Sequence, residues 1–230
     1  METKQPKVYL VIPAFNEGEI IVDVIDDIKK HGFSNIIVVD DGSKDDTYEK
    51  ANNVIGVTAL KHKLNRGYGA TVKTGVEAAK MLDADIVVTF DGDGQHDPGD
   101  IAEMISPIVN SDCDVVLGTR LLDTAGMPFY KIIANQVGNF FTWLLFGIWV
   151  TDSQSGFRAF SRNAIEKIKT KSERYEYSSE IIREIKHKKL KFKEAPIKVR
   201  YTQYSMGKAQ KQTFTNGLKT LFKMVWNLIS

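Results

Sequence analysis

The chain has a single cysteine, Cys113, and no apolar run long enough to cross a bilayer. The first scarcity excludes an internal disulfide and suits a reducing compartment. The second excludes an obvious transmembrane helix: the longest uninterrupted apolar stretch, Phe140 to Val150, falls well short of the ~20 residues a span needs. No signal peptide is expected, because METKQPK is polar and leads straight into a strand-like run. Net charge is only +2 over 230 residues, so nothing global points to nucleic acid. The two common phosphate loops are missing as well. PAFNEGE stands where a dinucleotide fingerprint would place G-x-G-x-x-G, Gly67 and Gly69 form a lone G-x-G further on, and no G-x-x-x-x-G-K-[ST] occurs. A phosphate-binding site in this chain has to use metal and basic side chains instead.

What is present is alternation. With 43% hydrophobic residues the chain can bury one substantial core, and a single domain over residues 1–230 is expected. Lys7–Ala14, Ile36–Val39, Val57–Leu60, Ile86–Phe90 and Val115–Leu117 are apolar, β-rich runs, the pattern of strands covered on both faces. Helical patterns lie between them. Ile20, Ile21, Val24, Ile25 and Ile28 make one stripe, with Asn16 expected as N-cap and Gly32 as terminator. Asn65–Ala70 leads into a helix through Met81, and Asp97-Pro98 opens another to Val109. Strands alternating with helices predict an α/β fold with a mostly parallel sheet sandwiched by helices. Ligands in such sheets bind beyond the carboxyl ends of the strands. Four of those ends carry Asn16/Glu17, Asp40/Asp41, Asp91/Asp93 and Arg120.

The richest of these ends is VVTFDGDGQHDP, Val87 to Pro98. Asp91 and Asp93, two residues apart, can both reach one hard cation. Mg²⁺ takes oxygen ligands and is commonly shared between one or two carboxylates and substrate phosphates. The same letters also make an ordinary Asp-Gly turn. Further along, Arg162 to Lys211 holds fifteen Lys/Arg against six Asp/Glu, which reads either as a site for an anionic partner or as a solvated basic face.

Six motifs in register extend the reading: VIPAFNE (Val11 to Glu17), VVDDGSKDDT (Val38 to Thr47), NRGYGA (Asn65 to Ala70), DGDGQH (Asp91 to His96), GTR (Gly118 to Arg120) and DSQSGFR (Asp152 to Arg158). Together they resemble the family 2 glycosyltransferases of the GT-A (Rossmann-like) fold, and most closely the dolichyl-phosphate mannose synthase and polyprenyl-phosphate glycosyltransferase branch. The resemblance implies inverting transfer of a hexose from a nucleotide sugar to dolichyl or polyprenyl phosphate, with GDP-mannose favoured over UDP-glucose. It implies Mg²⁺ or Mn²⁺ on Asp91, Asp93 and Gln95, with His96 lining the same site or simply a loop residue. Asp41 or its neighbour Asp40 would read the base, since a carboxylate accepts from uracil N3–H and guanine N1–H alike. The other of the pair would hold the loop. Pro13, Ala14 and Glu17 would contact base and ribose. Arg66 and Arg120 are candidates for the diphosphate or the acceptor phosphate, and Arg200 and Lys208 for the acceptor phosphate. Asp152 would lie on the acceptor side, where an enzyme attacking with an alcohol needs a base and one attacking with a phosphate does not. The alternative reading keeps the fold and uses a glycan or soluble hydroxyl as acceptor.

Residues 129–150 and 213–229 carry apolar and aromatic stripes that resemble the family's interface helices, so peripheral contact with the cytoplasmic membrane face is expected. Many relatives continue into transmembrane helices where this chain stops at Ser230. It is therefore expected either to work as a peripheral enzyme or to use a separate membrane partner.

Overall fold

The computed structural model describes residues 5–120, 129–200 and 204. Seven strands form one sheet: β1 (Val8–Ala14), β2 (Ile36–Asp40), β3 (Val57–Lys61), β4 (Ile86–Thr89), β5 (Val115–Thr119), β6 (Arg158–Ser161) and β7 (Phe192–Pro196). Their order is β3-β2-β1-β4-β6-β5-β7. All neighbours run parallel except β6, which is antiparallel to both β4 and β5. The helices of the described residues are α1 (Ile21–Lys30), α2 (Thr47–Asn52), α3 (Tyr68–Met81), α4 (Ile101–Val109), α5 (Phe129–Phe146), α6 (Arg162–Lys167) and α7 (Tyr177–His187). The five predicted strands are present, and β6 and β7 are additional to them.

Two apolar layers explain why these strands carry no polar alternation. Leu10, Ile12, Ile36, Val38 and Val88 face Ile21, Ile25, Ile28, Ile101 and Met104 on one side. Their chain neighbours Val11, Ile37, Val39 and Val87 face Val72, Ala79, Ile181 and Ile185 on the other. A strand's two-residue period sends successive side chains to opposite layers, so a strand covered twice must be apolar at every position. The parallel pairing then places the ends of β1, β2, β4 and β5 on one edge of the sheet.

Asn16 is not the N-cap of α1. The turn from Glu17 precedes the helix, with Ile20 and Ile21 N–H donating to the Glu17 carbonyl at 3.0 and 2.9 Å. Asn16 takes a left-handed conformation (φ 53°) and its Oδ1 accepts from Lys44 N–H at 2.9 Å. A partner on another loop has outcompeted the local cap. Gly32 (φ 88°) does end α1. Asp97 does cap its helix, accepting from Gly99 N–H at 2.9 Å, although the first turn, Pro98–Asp100, is 3₁₀. Among the described residues no helix is long and apolar enough to cross a membrane. Lys208 and the stripe at 213–229 lie outside them.

Candidate active site

The ends of β1 and β2 are laced together before any ligand is considered. Asn16 N–H donates to Ser43 Oγ (2.8 Å), Glu17 N–H to Thr47 Oγ1 (2.9 Å) and Gly18 N–H to Asp45 Oδ2 (3.0 Å). VVDDGSKDDT thus supplies side-chain acceptors for the backbone donors of PAFNEG, a role its polar letters share with turn chemistry. Burial pushes the Asp45 carboxyl up, but donation from Thr47 and Gly18 outweighs it and holds the group below the ordinary range. Glu17, nearly buried, accepts from the Tyr204 hydroxyl at 2.7 Å.

The paired acids of β2 divide their work. Asp40 is fully buried and accepts from the Ser43 amide (3.1 Å) and hydroxyl, which makes it the residue that holds the loop. Asp41 Oδ1 accepts from Arg66 N–H (3.0 Å) and His62 Nδ1 (2.8 Å), and Oδ2 from Gly67 N–H (2.7 Å). The NRGYGA turn is therefore strapped to Asp41. Its glycines serve packing: a Cβ at Gly67 would lie 2.8 Å from the Glu173 carbonyl, and one at Gly69 would lie 2.8 Å from that of Ser172. The lone G-x-G lets the 172–174 segment close on the site.

At the end of β4, Asp91 Oδ2 accepts from His96 Nε2 at 3.0 Å. His96 is buried, edge-on to Phe90 and tilted against Phe157. The Asp91 side chain retains 30% exposure, yet its Oδ1 is enclosed without a hydrogen-bond partner among the described residues. Burial pushes this carboxyl up, and His96, Arg120 and the Tyr68 hydroxyl outweigh that effect to hold it below the ordinary range. Tyr68 itself is driven well above a normal phenol by burial and by Asp91. Both groups crowd Gly156, where a Cβ would sit 2.5 and 2.6 Å from the Asp91 oxygens and 2.6 Å from the Tyr68 hydroxyl. Asp93 Oδ1 accepts from Gln95 N–H at 3.0 Å. No group of three His, Cys, Asp or Glu among the described residues is arranged to enclose an ion. Two carboxylates and an amide oxygen still fit a cation that keeps places for phosphate oxygens and water. The unpartnered Asp91 Oδ1 is the polar atom such a cation would satisfy.

Arg120, at the end of β5, grips Asp152 in a bidentate pair, Nε to Oδ2 at 2.6 Å and Nη2 to Oδ1 at 2.9 Å. The Asp152 side chain has no exposed surface, while that of Arg120 keeps 25%. Planar pairing of this kind fixes both partners. Arg158 is buried beneath, donating to the carbonyls of Ser155 (2.9 Å), Ser178 (3.1 Å) and Ser153 (2.8 Å), so it staples the DSQSGFR loop to α7. Asn139 of α5 holds the same loop from the other side, donating to the Thr151 carbonyl and accepting from Ser153 N–H at 2.9 Å.

Two expected phosphate ligands are ion-paired to acidic side chains. Arg200 bridges Asp27 (2.5 Å) and Asp97 (2.7 Å), and its backbone N–H donates to the Gln95 carbonyl at 2.8 Å, so it fastens the 95–97 loop to α1. Arg66 is half exposed and donates to Glu173 at 2.6 Å. His62, Tyr68, Gly156 and Arg158 were not singled out by the sequence as site residues.

The glycosyl transferase family 2 model matches residues 9–169. The chain belongs to that family. An uncharacterized protein of Methanocaldococcus jannaschii is 43% identical over 233 residues, spanning 99% of this chain and 95% of its own. The UDP-N-acetylglucosamine–dolichyl-phosphate N-acetylglucosaminyltransferase of Methanococcus voltae is 42% identical over 222 residues, 87% of this chain and 88% of its own. Glucosyl-3-phosphoglycerate synthase from Mycobacterium tuberculosis, crystallised with Mn²⁺, UDP-glucose and phosphoglyceric acid, superposes with a TM-score of 0.67 at 20% identity, covering 94% of this chain and 80% of that one. The last likeness concerns fold alone, and it makes the α/β sheet of this glycosyltransferase a GT-A sheet. In this family 2 enzyme the motifs converge on the strand-end edge, with DGDGQH and DSQSGFR meeting at Gly156.

Proposed function

We propose that the enzyme transfers a sugar from a nucleoside diphosphate donor to a polyprenyl or dolichyl phosphate, with inversion, at the cytoplasmic face of a membrane. The observation that carries the acceptor is the Arg120–Asp152 pair. Asp152 is sealed and doubly hydrogen-bonded to a guanidinium, a poor state for a general base. A phosphate acceptor needs none, because it is anionic at neutral pH, whereas an alcohol would. Arg120, whose side chain keeps 25% exposure, would orient the acceptor phosphate or the diphosphate.

Asp91, Asp93 and Gln95 would hold Mg²⁺ or Mn²⁺, which when bound supplies Lewis-acid neutralisation of the departing diphosphate. Asp41 is the base-reading carboxylate in this reading, with Pro13, Ala14 and Glu17 around base and ribose. The resemblance to the dolichyl-phosphate mannose synthase branch leans to GDP-mannose, although the base-reading carboxylate accepts from either base. The relative that is 42% identical over most of the chain is named for UDP-N-acetylglucosamine, and that similarity moves the donor we propose to a UDP-sugar, with GDP-mannose as the second reading.

Helix α5 supplies the surface for a bilayer. Val137, Phe140, Trp143 and Leu144 are exposed on it and Trp149 just beyond, while Asn139 and Thr142 are buried behind them. Phe140 and Trp143 rings lie 5.9 Å apart, and Trp143 and Trp149 6.5 Å. An aromatic patch of this kind is a feature of surfaces that sit in the headgroup region.

The test is to incubate the enzyme and Mg²⁺ with UDP-N-acetylglucosamine, UDP-glucose or GDP-mannose and either polyprenyl phosphate or a soluble glycan. Glycolipid formed from a UDP-sugar is expected, and product only on the hydroxyl acceptor would overturn the reading. Asp93→Ala should lower turnover by at least about a thousandfold; undiminished activity would remove the metal from the mechanism.

A further inference from the structure

Asp41 has a partner that the proposed mechanism does not yet use. His62 follows the last residue of β3, and its side chain is 10% exposed. Both ring nitrogens are engaged: Nδ1 lies 2.8 Å from Asp41 Oδ1, and Nε2 lies 2.9 Å from Thr74 Oγ1 on α3. Asp41 already accepts from two backbone N–H groups, so it acts as an ionised acceptor and the proton on the first contact must sit on Nδ1. The tautomer is thereby set by chemistry. Thr74, whose hydroxyl is also 3.1 Å from the Ala70 carbonyl, fixes the ring from the helix side.

The consequence is a carboxylate with no freedom left. Oδ1 takes two donors and Oδ2 takes one, the Gly67 amide. A carboxylate oxygen accepts two, so Oδ2 keeps one acceptor position. Without His62, the backbone donors of Arg66 and Gly67 would still hold one oxygen each, but Oδ1 would lose its second donor and the tie through the ring to Thr74 that keeps the carboxylate from tilting within that pair.

We propose that His62 is a positioning residue for nucleobase recognition: its Nδ1–H locks the Asp41 carboxylate so that the remaining Oδ2 acceptor position is presented to the imino N–H of the donor's base. The claim rests on the reading of Asp41 as the base-reading group. It assigns the discrimination to a strand-to-helix brace, β3 through His62 to α3, which no motif of the sequence displays. His62 touches no substrate; it acts through Asp41.

The experiment measures binding of UDP and of N3-methyl-UDP to the full-length protein by calorimetry, in wild type, His62→Leu, His62→Asn and Thr74→Val. Wild type should bind UDP about tenfold or more tightly than the N3-methylated analogue, the loss expected when a charged acceptor is left without its donor. In His62→Leu, UDP binding should weaken about tenfold and the penalty for N3-methylation should shrink to about twofold. Asn carries an amide N–H near the place of Nδ1, so His62→Asn should restore most of the methylation penalty. Thr74→Val leaves Asp41 its donor while loosening the ring, and should shrink the penalty partway even if His62→Leu does not fold. A folded His62→Leu or Thr74→Val protein whose methylation penalty equals that of wild type overturns the positioning role. A wild-type protein that binds UDP and N3-methyl-UDP equally refutes instead the reading of Asp41 on which the role rests.

Discussion

Replacing Gly156 by alanine probes the Asp91 pocket where it is tightest. The Gly156 backbone has no positive φ, so alanine is conformationally acceptable and the whole effect comes from the added methyl group. That group would arrive 2.5 Å from Asp91 Oδ1, 2.6 Å from Oδ2 and 2.6 Å from the Tyr68 hydroxyl. Reaching even a 3.0 Å separation requires Asp91 or the loop to retreat by at least about 0.5 Å. A displacement near 1 Å at a reacting centre costs up to about a hundredfold, so kcat/KM should fall about 10- to 100-fold, with the Mg²⁺ concentration for half-maximal activity rising. Overpacking should also cost about 1–3 kcal/mol, a drop of several degrees in Tm for a chain of this size. Gly138→Ala is the internal control. A Cβ there meets nothing within 4 Å, and the position is helical, so the variant should gain about 0.5–1 kcal/mol. Steady-state kinetics across a Mg²⁺ series, with thermal melts of both variants, decide the matter. A Gly156→Ala enzyme with wild-type kcat/KM and metal dependence would refute the argument that the Asp91 carboxylate must rest on a bare Cα.

Asp152→Asn removes the charge that Arg120 grips; UDP binding should stay within about twofold while stability drops by about 1–3 kcal/mol, and an unchanged melting curve would show the pair to be energetically idle. Asp45 has a depressed carboxyl, so its contribution to stability is fully present above about pH 3.8 and is lost as pH falls through its lower folded value. The Tm gap between wild type and Asp45→Asn should therefore be constant near neutrality and close in acid, and a gap that widens in acid would invert the assignment. Phe140→Ser with Trp143→Ser should reduce cosedimentation with anionic liposomes about tenfold or more, and undiminished partitioning would clear α5 of a membrane role.

What the sequence disclosed depended on how local the signal was. The parallel strands β1 to β5 were legible because burial on both faces demands unbroken apolar runs. β6 was not, since Arg158–Ser161 is four residues long, its charged Arg158 makes sense only against α7 and the 153–155 carbonyls, and its Ser161 doubles as the N-cap of α6. The Asn16 cap failed for a related reason: the residue satisfies Lys44, 28 positions away, in place of its own helix. Within the site, Asp91 and Asp93 announce themselves by spacing, and Asp40 and Asp41 by adjacency. His62 and Gly156 do not, because their importance lies in contacts 21 and 65 positions distant, to Asp41 and Asp91. Arg200 stands out in a basic stretch, but its ion pairs to two aspartates, one on α1 and one before α4, could not be read from the letters.

The reversed strand β6 also governs the timing of assembly. It lies between β4 and β5 in space but follows both in the chain. A ribosome that has just delivered residue 119 has made β1 to β5, yet β4 and β5 have no way to join, because the strand between them does not exist. The Asp91 carboxylate then lacks the glycine it rests on, and the Thr89 hydroxyl lacks the Gly156 carbonyl to which it donates at 2.6 Å. Insertion of Arg158–Ser161 unites the two sides of the sheet and closes the pocket in one event. The loops after β1, β2 and β3 can form early in synthesis, but a chain interrupted before residue 161 leaves β4 without its β6 neighbour and the Asp91 pocket open. The joining of β4 to β5 and the closing of the Asp91 pocket are, in this molecule, the same step.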